Sequence, residues 1–574
     1  MSGIPPAGEQ SRSSTSSADK QELTSSAGVS RTPSQTSADD GGFFAAARLA
    51  VKNRHDIRTA PGTNFSDEKV AAYWKNVYDE SKYEGRHRFD PDFTWTEEEE
   101  KALVRKLDVR IMLFVWVMFI ALDLIRRNIN RVLPDNFLKD VGMTQNDFNN
   151  GQIIYFASFL FMELPSGLIS KKLGADVWIP IQIISWSAIC SAQFAITSRT
   201  GFFVTRWLLG AAQGGFIPDM CLYLSYFYTA KELNARLSWF YTVLGMSQII
   251  GSFLAVGFIE LGGIHGHYGW QWLFALEGLI SGIVGVLAFF LMPPSVTSTK
   301  GVVRGKSGWF NEREEYIAVN RVLRDDPTKG EMHNRQGVGA YSLWKAISEK
   351  DLWPIYLLGL VIYIPYQPPQ TYLSATLKQL GFSTINSNLL AIPSQALFVI
   401  NCLWLPWLTR RFNEYSILSS ISNIWTLPLL IALVTIPASL SSYWSWVRFA
   451  LLTLISAFPY CHPAVISWLS QNCHSVRNRA VSVCLYNMSY QVGSIVATQI
   501  YRSGDAPYYR RGTWGLIAIS AWAIMQCWLT KLYYIYRNRQ KEAEWKRLTP
   551  DERVEYTVTN KEQGTSRLDT RFVH

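Results

Sequence analysis

From residue 108 to residue 536, apolar runs of about twenty residues alternate with short polar turns. Each run is long enough to cross the ~30 Å hydrocarbon core of a bilayer. The pattern predicts twelve spanning helices, at 108–130, 150–170, 177–197, 202–228, 237–260, 271–292, 353–373, 387–408, 416–438, 444–469, 480–501 and 513–536. A segment with ten Lys/Arg and eight Asp/Glu separates the sixth from the seventh. It is too charged to enter a membrane, so the spans fall into two groups of six. The predicted organisation is a disordered, polar N-terminal region at 1–104, a six-helix bundle at 105–292, a central loop at 293–352, a second bundle at 353–536 and a tail at 537–574. Residues 1–40 carry too little apolar surface to fold and show no basic-then-apolar leader pattern.

The two groups repeat. Arg206 precedes a Gly- and Pro-containing stretch in the fourth span, with Arg236 thirty residues on. Arg448 precedes Pro459 and Pro463 in the tenth, with Arg477 and Arg479 at nearly the same distance. Repeated halves with a solute path between them are a transporter feature. The short loops carry Lys and Arg on both sides. The central segment and the basic flanks (Lys101, Arg105 and Lys106; Arg537, Arg539 and Lys541) therefore decide the predicted orientation, with both termini cytoplasmic.

Composition then removes other classes. A formal charge of +10 suits cytoplasmic loops beside anionic lipid, and no compact basic module points to nucleic acid. The seven cysteines lie in or beside apolar spans, without the spacing of a metal site or disulfide framework. No nucleophile–His–acid set, metal cluster or phosphate loop indicates an enzyme, and no cofactor is expected.

Ionised groups inside a membrane are expensive, about 2.5–3.5 kcal/mol each on insertion scales, so each marks a partner or a wet cavity. In ALDLIRRNINR, Asp123 precedes Arg126 and Arg127 by three and four residues, on one helical face. One arginine can pair with Asp123 while the other stays free for an anion, with Asn128 beside them. Glu163, two residues before Pro165, is with Asp123 a candidate for ion coupling. In the fourth span Arg206, Gly210, Gln213, Gly214 and Ile217 share a face, which predicts close helix packing with Arg206 and Gln213 turned inward. Polar stripes on span five (Tyr241, Gly245, Gln248, Ser252) and span eleven (Asn487, Tyr490, Gln491, Ser494, Thr498) read as opposite walls of one cavity. In the proline-rich seventh span, Tyr363, Tyr366, Gln367 and Gln370 suit solute contacts on a broken backbone. His462, beside Pro463, is a weaker candidate for proton relay.

Four segments, ALDLIRRNIN, ELPSGLISKKLGADVWIP, RWLLGAAQGGFIPDMCLYLSYFYTAKELNAR and WQWLFALEGL, resemble the major facilitator superfamily. The resemblance is greatest to its anion:cation symporter branch, in the fungal allantoate permease group. It implies two pseudo-symmetric six-helix bundles and a plasma-membrane importer of a small organic anion, such as allantoate, a vitamin or a sulfur compound, commonly with protons. Three positions depart from the family pattern: Lys171 stands where Asp is usual, Ile125 where an acid often precedes the arginine, and Gln213 where Glu is frequent. With that Glu absent, coupling is expected to fall on Asp123 and Glu163. The absence of proline from 237–260 speaks against multidrug efflux. Export of a secondary metabolite and nutrient sensing are the alternatives.

Overall fold

The computed structural model describes residues 65–574, apart from 66–67, 81–82, 326–328, 330–343, 345–346, 413, 438–440, 474–475, 507, 550–551, 553–564, 566 and 569. The expected disordered tail at 1–40 lies outside these residues. The described residues are mainly helical, with an isolated bridge between Gly301 and Gly305.

Among the described residues, seven of the predicted spans contain helices long and apolar enough to cross a membrane: spans two (Gln145–Ser170), three (Ala175–Ala195), five (Ala235–Ile259), six (Gly269–Leu291), eight (Thr384–Leu405), nine (Ser416–Thr435) and twelve (Arg510–Arg547). The other five depart for visible reasons. Span one (Leu113–Val132) is continuous but carries one acid and three arginines. Span eleven (Val476–Thr498) is likewise continuous and polar. Span four breaks into Arg199–Gln213 and Phe216–Ser225, span seven into Trp353–Val361, Gln367–Thr371 and Leu373–Gln379, and span ten into Ser442–Ser456 and His462–Asn472.

The break in span four comes from Gly214, in extended conformation, and Gly215, at φ 86°. A Cβ on Gly210 would come within 2.3 Å of the Tyr155 carbonyl oxygen, and one on Gly215 within 2.4 Å of Ser166. Span four therefore lies directly on span two, as its small residues predict. The break in span ten, at 457–461, occupies the corresponding place in the second half.

The polar regions hold more structure than expected. Within 1–104, helices form at Glu68–Glu80 and Glu97–Leu107, the latter opened by a capping box between Thr96 and Glu99. Within the central loop, Glu312–Asp325 is a helix that packs against them. Ion pairs join them: Arg88–Glu315 at 3.0 Å, Lys106–Glu314 at 2.8 Å and Arg313–Glu99 at 2.6 Å. The bond to Arg313 holds the Glu99 carboxyl down at about 2. Phe65, Tyr78, Val319 and Leu323 form a small apolar cluster there, burial that the net charge of these segments hides. In the tail, the last helix runs on to Arg547, and Phe572 stacks on Tyr534 at 4.9 Å.

Candidate functional site

Between the halves lies a central cleft of about 1370 Å³, including its open mouth. Its walls come from spans one, two, four, five, seven, eight, ten and eleven; none of its lining residues comes from spans three, six, nine or twelve. The broken or polar spans thus face the cleft, where their unsatisfied backbone and side chains can be hydrated.

Arg126 and Arg127 both line it and differ in their partners. Arg127 Nε donates to Asp123 Oδ1 at 3.0 Å, and its Nη1 lies 3.5 Å from Gln370 Oε1 of the other half. Asp123 is fully buried and also accepts from the Ser247 hydroxyl. Arg126 has neither a hydrogen bond nor an ion pair among the described residues. Its guanidinium sits 5.5–5.9 Å from the ring centroids of Tyr155, Phe156 and Phe159. Aromatic faces hold a cation in place without neutralising its charge.

Amides surround this pair. Gln248, Gln367, Gln370, Asn487 and Gln491 line the cleft, together with Asn130, Asn149 and Gln152. Gln248 Nε2 donates across the halves to Gln395 Oε1 at 2.9 Å, and Gln367 Nε2 donates to Ser494 Oγ at 2.8 Å. Gln491 Oε1 and Glu163 Oε2 are buried without a hydrogen-bond partner. Glu163 lines the cleft, whereas Asp123 stands behind Arg127.

Four expected contacts lie behind the wall. Asn128 is 200° around the helix from Arg126; it is fully buried, with Nδ2 at 3.4 Å from Cys190 Sγ of span three. Arg206 is fully buried, and its Nη2 donates to Gln193 Oε1 at 2.8 Å. Gln213 accepts from the Tyr155 hydroxyl at 2.5 Å. The face carrying Arg206 and Gln213 is the one that Gly210 and Gly214 press onto span two, so it forms a helix–helix seam and only Ile217, beyond the break, reaches the cleft. Tyr363 is buried, its hydroxyl 2.5 Å from that of Tyr486 and 3.1 Å from His462 Nδ1.

Other lining residues escaped the sequence reading. Gln152, Tyr155, Phe156 and Phe159 precede Glu163 at helical spacing on one face of span two, the signal that would have found them. Tyr460 adds a ring beside His462, next to Tyr490 of the span-eleven stripe.

The cleft ends at a seam between the halves. Tyr372 donates to Asn149 Oδ1, and Asn149 Nδ2 donates to the Tyr501 carbonyl at 2.9 Å. Lys378 donates to the Pro134 carbonyl, which Thr384 Oγ1 also reaches at 3.2 Å. Beside this contact, burial pushes the Asp135 carboxyl up to about 6 despite the nearby Lys378 ammonium.

Known proteins share this architecture. Residues 115–498 match the family model described as Major Facilitator Superfamily. An uncharacterized transporter of Saccharomyces cerevisiae is 47% identical over 512 residues, 89% of this chain and 94% of that protein. A protein of Agrobacterium vitis named for tartrate transport is 31% identical over 222 residues, 38% of this chain and 49% of its own. The xylose transporter XylE of E. coli, in a partially occluded inward-open conformation, superposes with a TM-score of 0.54 at 13% identity, covering 73% of this chain and 97% of that one.

Proposed function

The chain belongs to the Major Facilitator Superfamily and is a multi-pass membrane transporter, and on that premise we propose that it imports a small organic anion with protons across the plasma membrane, its termini in the cytoplasm. The observation that carries the reading is Arg126. A cation on a cleft wall, clasped by three rings and in no ion pair among the described residues, favours a negatively charged group in the space before it. Arg127 contributes a second donor, shared with Asp123. Amides of both halves then offer donors and acceptors to the rest of the solute. A small carboxylate or sulfonate fits this set, and the likeness to a protein named for tartrate transport adds support for an organic acid.

Rigid rocking of the halves about the cleft supplies alternating access. The seam at Asn149, Tyr372 and Pro134 must part for the other face to open. Glu163, buried at the cleft with an unpartnered oxygen, is a carboxylate that a proton can neutralise there.

The test is uptake of labelled allantoate, nicotinate, methanesulfonate and tartrate by cells expressing the protein, with and without a protonophore. At least one anion is expected to accumulate in a protonophore-sensitive way. Loss of a charge-assisted bond costs about 1.5–3 kcal/mol, so Arg126→Gln should weaken apparent affinity roughly 10- to 150-fold at unchanged surface expression. Full uptake by both Arg126→Gln and Arg127→Gln would remove the anion site.

A further inference from the structure

Behind the cleft wall of the first half lies a second polar cluster. Glu277 comes from span six, Arg131 and Asn128 from span one, Cys190 from span three, Gln193 from the turn after it and Arg206 from span four. All six are buried, and Glu277, Asn128, Gln193 and Arg206 are wholly so. Arg131 Nη1 faces Glu277 Oε1 at 3.8 Å, too far for a hydrogen bond. Neither oxygen of Glu277 has a hydrogen-bond partner, and neither does Arg131 Nη1, Asn128 Oδ1, Gln193 Nε2 or Arg206 Nε. Buried polar atoms gathered in this way leave hydrogen-bonding capacity unused.

The cluster is wired to the cleft. Arg131 Nη2 donates to the Ser247 carbonyl at 3.3 Å. The Ser247 hydroxyl donates to Asp123 Oδ2, and Asp123 Oδ1 holds Arg127 at 3.0 Å. Acid and base therefore alternate from Glu277 through Arg131 and Asp123 to Arg127, two negative and two positive charges in sequence. Asp123 is firmly bonded on both sides, so a proton there breaks existing bonds. Glu277 faces Arg131 across a gap, with the Asn128 amide beside it, and a proton there breaks no bond of full hydrogen-bond geometry. Among the described residues the charged or titratable groups facing Glu277 are Arg131 and Cys190, with Asp123 and Arg206 behind them.

We propose that Glu277 is the carboxylate that takes up the transported proton, and that Arg131, Ser247 and Asp123 pass the loss of its charge to Arg127. The step adds one proton to a carboxylate oxygen of Glu277, which becomes a neutral acid; no other covalent bond changes. Arg131, losing its partner, turns its charge to Asp123, and Asp123 loosens its hold on Arg127. The freed guanidinium meets the anion in the cleft, so the proton binds first and the anion second. Release of the proton on the far side restores the Asp123–Arg127 pair and expels the anion. This ordering rests on the anion-and-proton reading of the cleft. The identity of the proton-accepting group is a separate claim.

Two measurements on the full chain in proteoliposomes test it. Infrared pH-difference spectra need no solute: a protonated-carboxyl band that Asp123→Asn, Asp135→Asn and Glu163→Gln each leave in place is expected in the wild type and is lost in Glu277→Gln. If Glu277→Gln removes no such band, the proposal is overturned. The second measurement uses whichever of labelled allantoate, nicotinate, methanesulfonate or tartrate the wild type carries. Glu277→Gln should keep exchange of that anion across the membrane within about twofold and lose its accumulation by a pH gradient, whereas Arg126→Gln weakens both. Accumulation retained by Glu277→Gln overturns the proposal. If none of the four is carried, the anion reading fails by itself and the infrared result alone decides the role of Glu277. Should Glu277→Gln not reach the membrane, Glu277→Asp replaces it: the infrared titration midpoint is expected to move, and an unmoved midpoint refutes the assignment.

Discussion

Three arginines of the first half have three different fates. Arg127 is paired four residues back with Asp123, Arg126 is clasped by rings with its charge unspent, and Arg206 is sealed beneath span two. The first of these was legible in the sequence, because i,i+4 spacing on a helix brings acid and base together whatever the neighbours are. The spacing could not tell which arginine stays free, since Arg126 and Arg127 both fall within reach of Asp123; the three rings that settle it come from span two. Arg206 is expected from the sequence to turn inward, yet the close packing that its small neighbours predict brings span two over that same face and covers it. Glu277 was overlooked although a lone carboxylate in an apolar span was the signal. The buried position of Arg206 makes a prediction. Arg206→Gln breaks the bond to Gln193 without changing the cleft, so it should lower the thermal midpoint of the purified protein while leaving the apparent affinity of the protein that folds unchanged. A selective rise in KM, at normal stability, would return Arg206 to the solute site.

At the scale of elements, the breaks are informative. Each of the twelve predicted spans overlaps a continuous or broken helix, yet hydropathy could not show that four, seven and ten are interrupted, because Gly and Pro lower no hydropathy window enough to split it. The interruptions sit where helices meet the cleft. Gly215 combines a left-handed backbone with a Cβ path blocked by Ser166. Gly215→Val should therefore cost about 1 kcal/mol in backbone strain and more in the forced separation of spans two and four. Lost surface expression, rescued in part by Ser166→Gly, is the expected result, measured by cell-surface labelling; normal expression of Gly215→Val alone would mean that this contact is not needed. The polar flanks show the opposite error. Charge read as disorder in 65–104 concealed a capped helix and a small apolar cluster that fasten the central helix Glu312–Asp325 to the first bundle.

For the whole molecule, two six-span halves meet along a cleft whose far end is closed by hydrogen bonds between them. The repeat of Arg206 and Arg448, each about nine residues before a break, was visible in the sequence and corresponds to the observed breaks at 214–215 and 457–461. The seam was not visible, since Asn149, Tyr372 and Pro134 are distant in sequence and unremarkable in type. The proposed function turns on the charge of the solute. Its most direct test is transport into proteoliposomes of the purified protein, driven by an imposed pH gradient, comparing each of the four labelled anions with its neutral amide or ester. At least one anion is expected to accumulate while its neutral counterpart does not, and Arg126→Gln is expected to abolish the difference. Accumulation of the neutral compounds with exclusion of the anions, unchanged by Arg126→Gln, would contradict it.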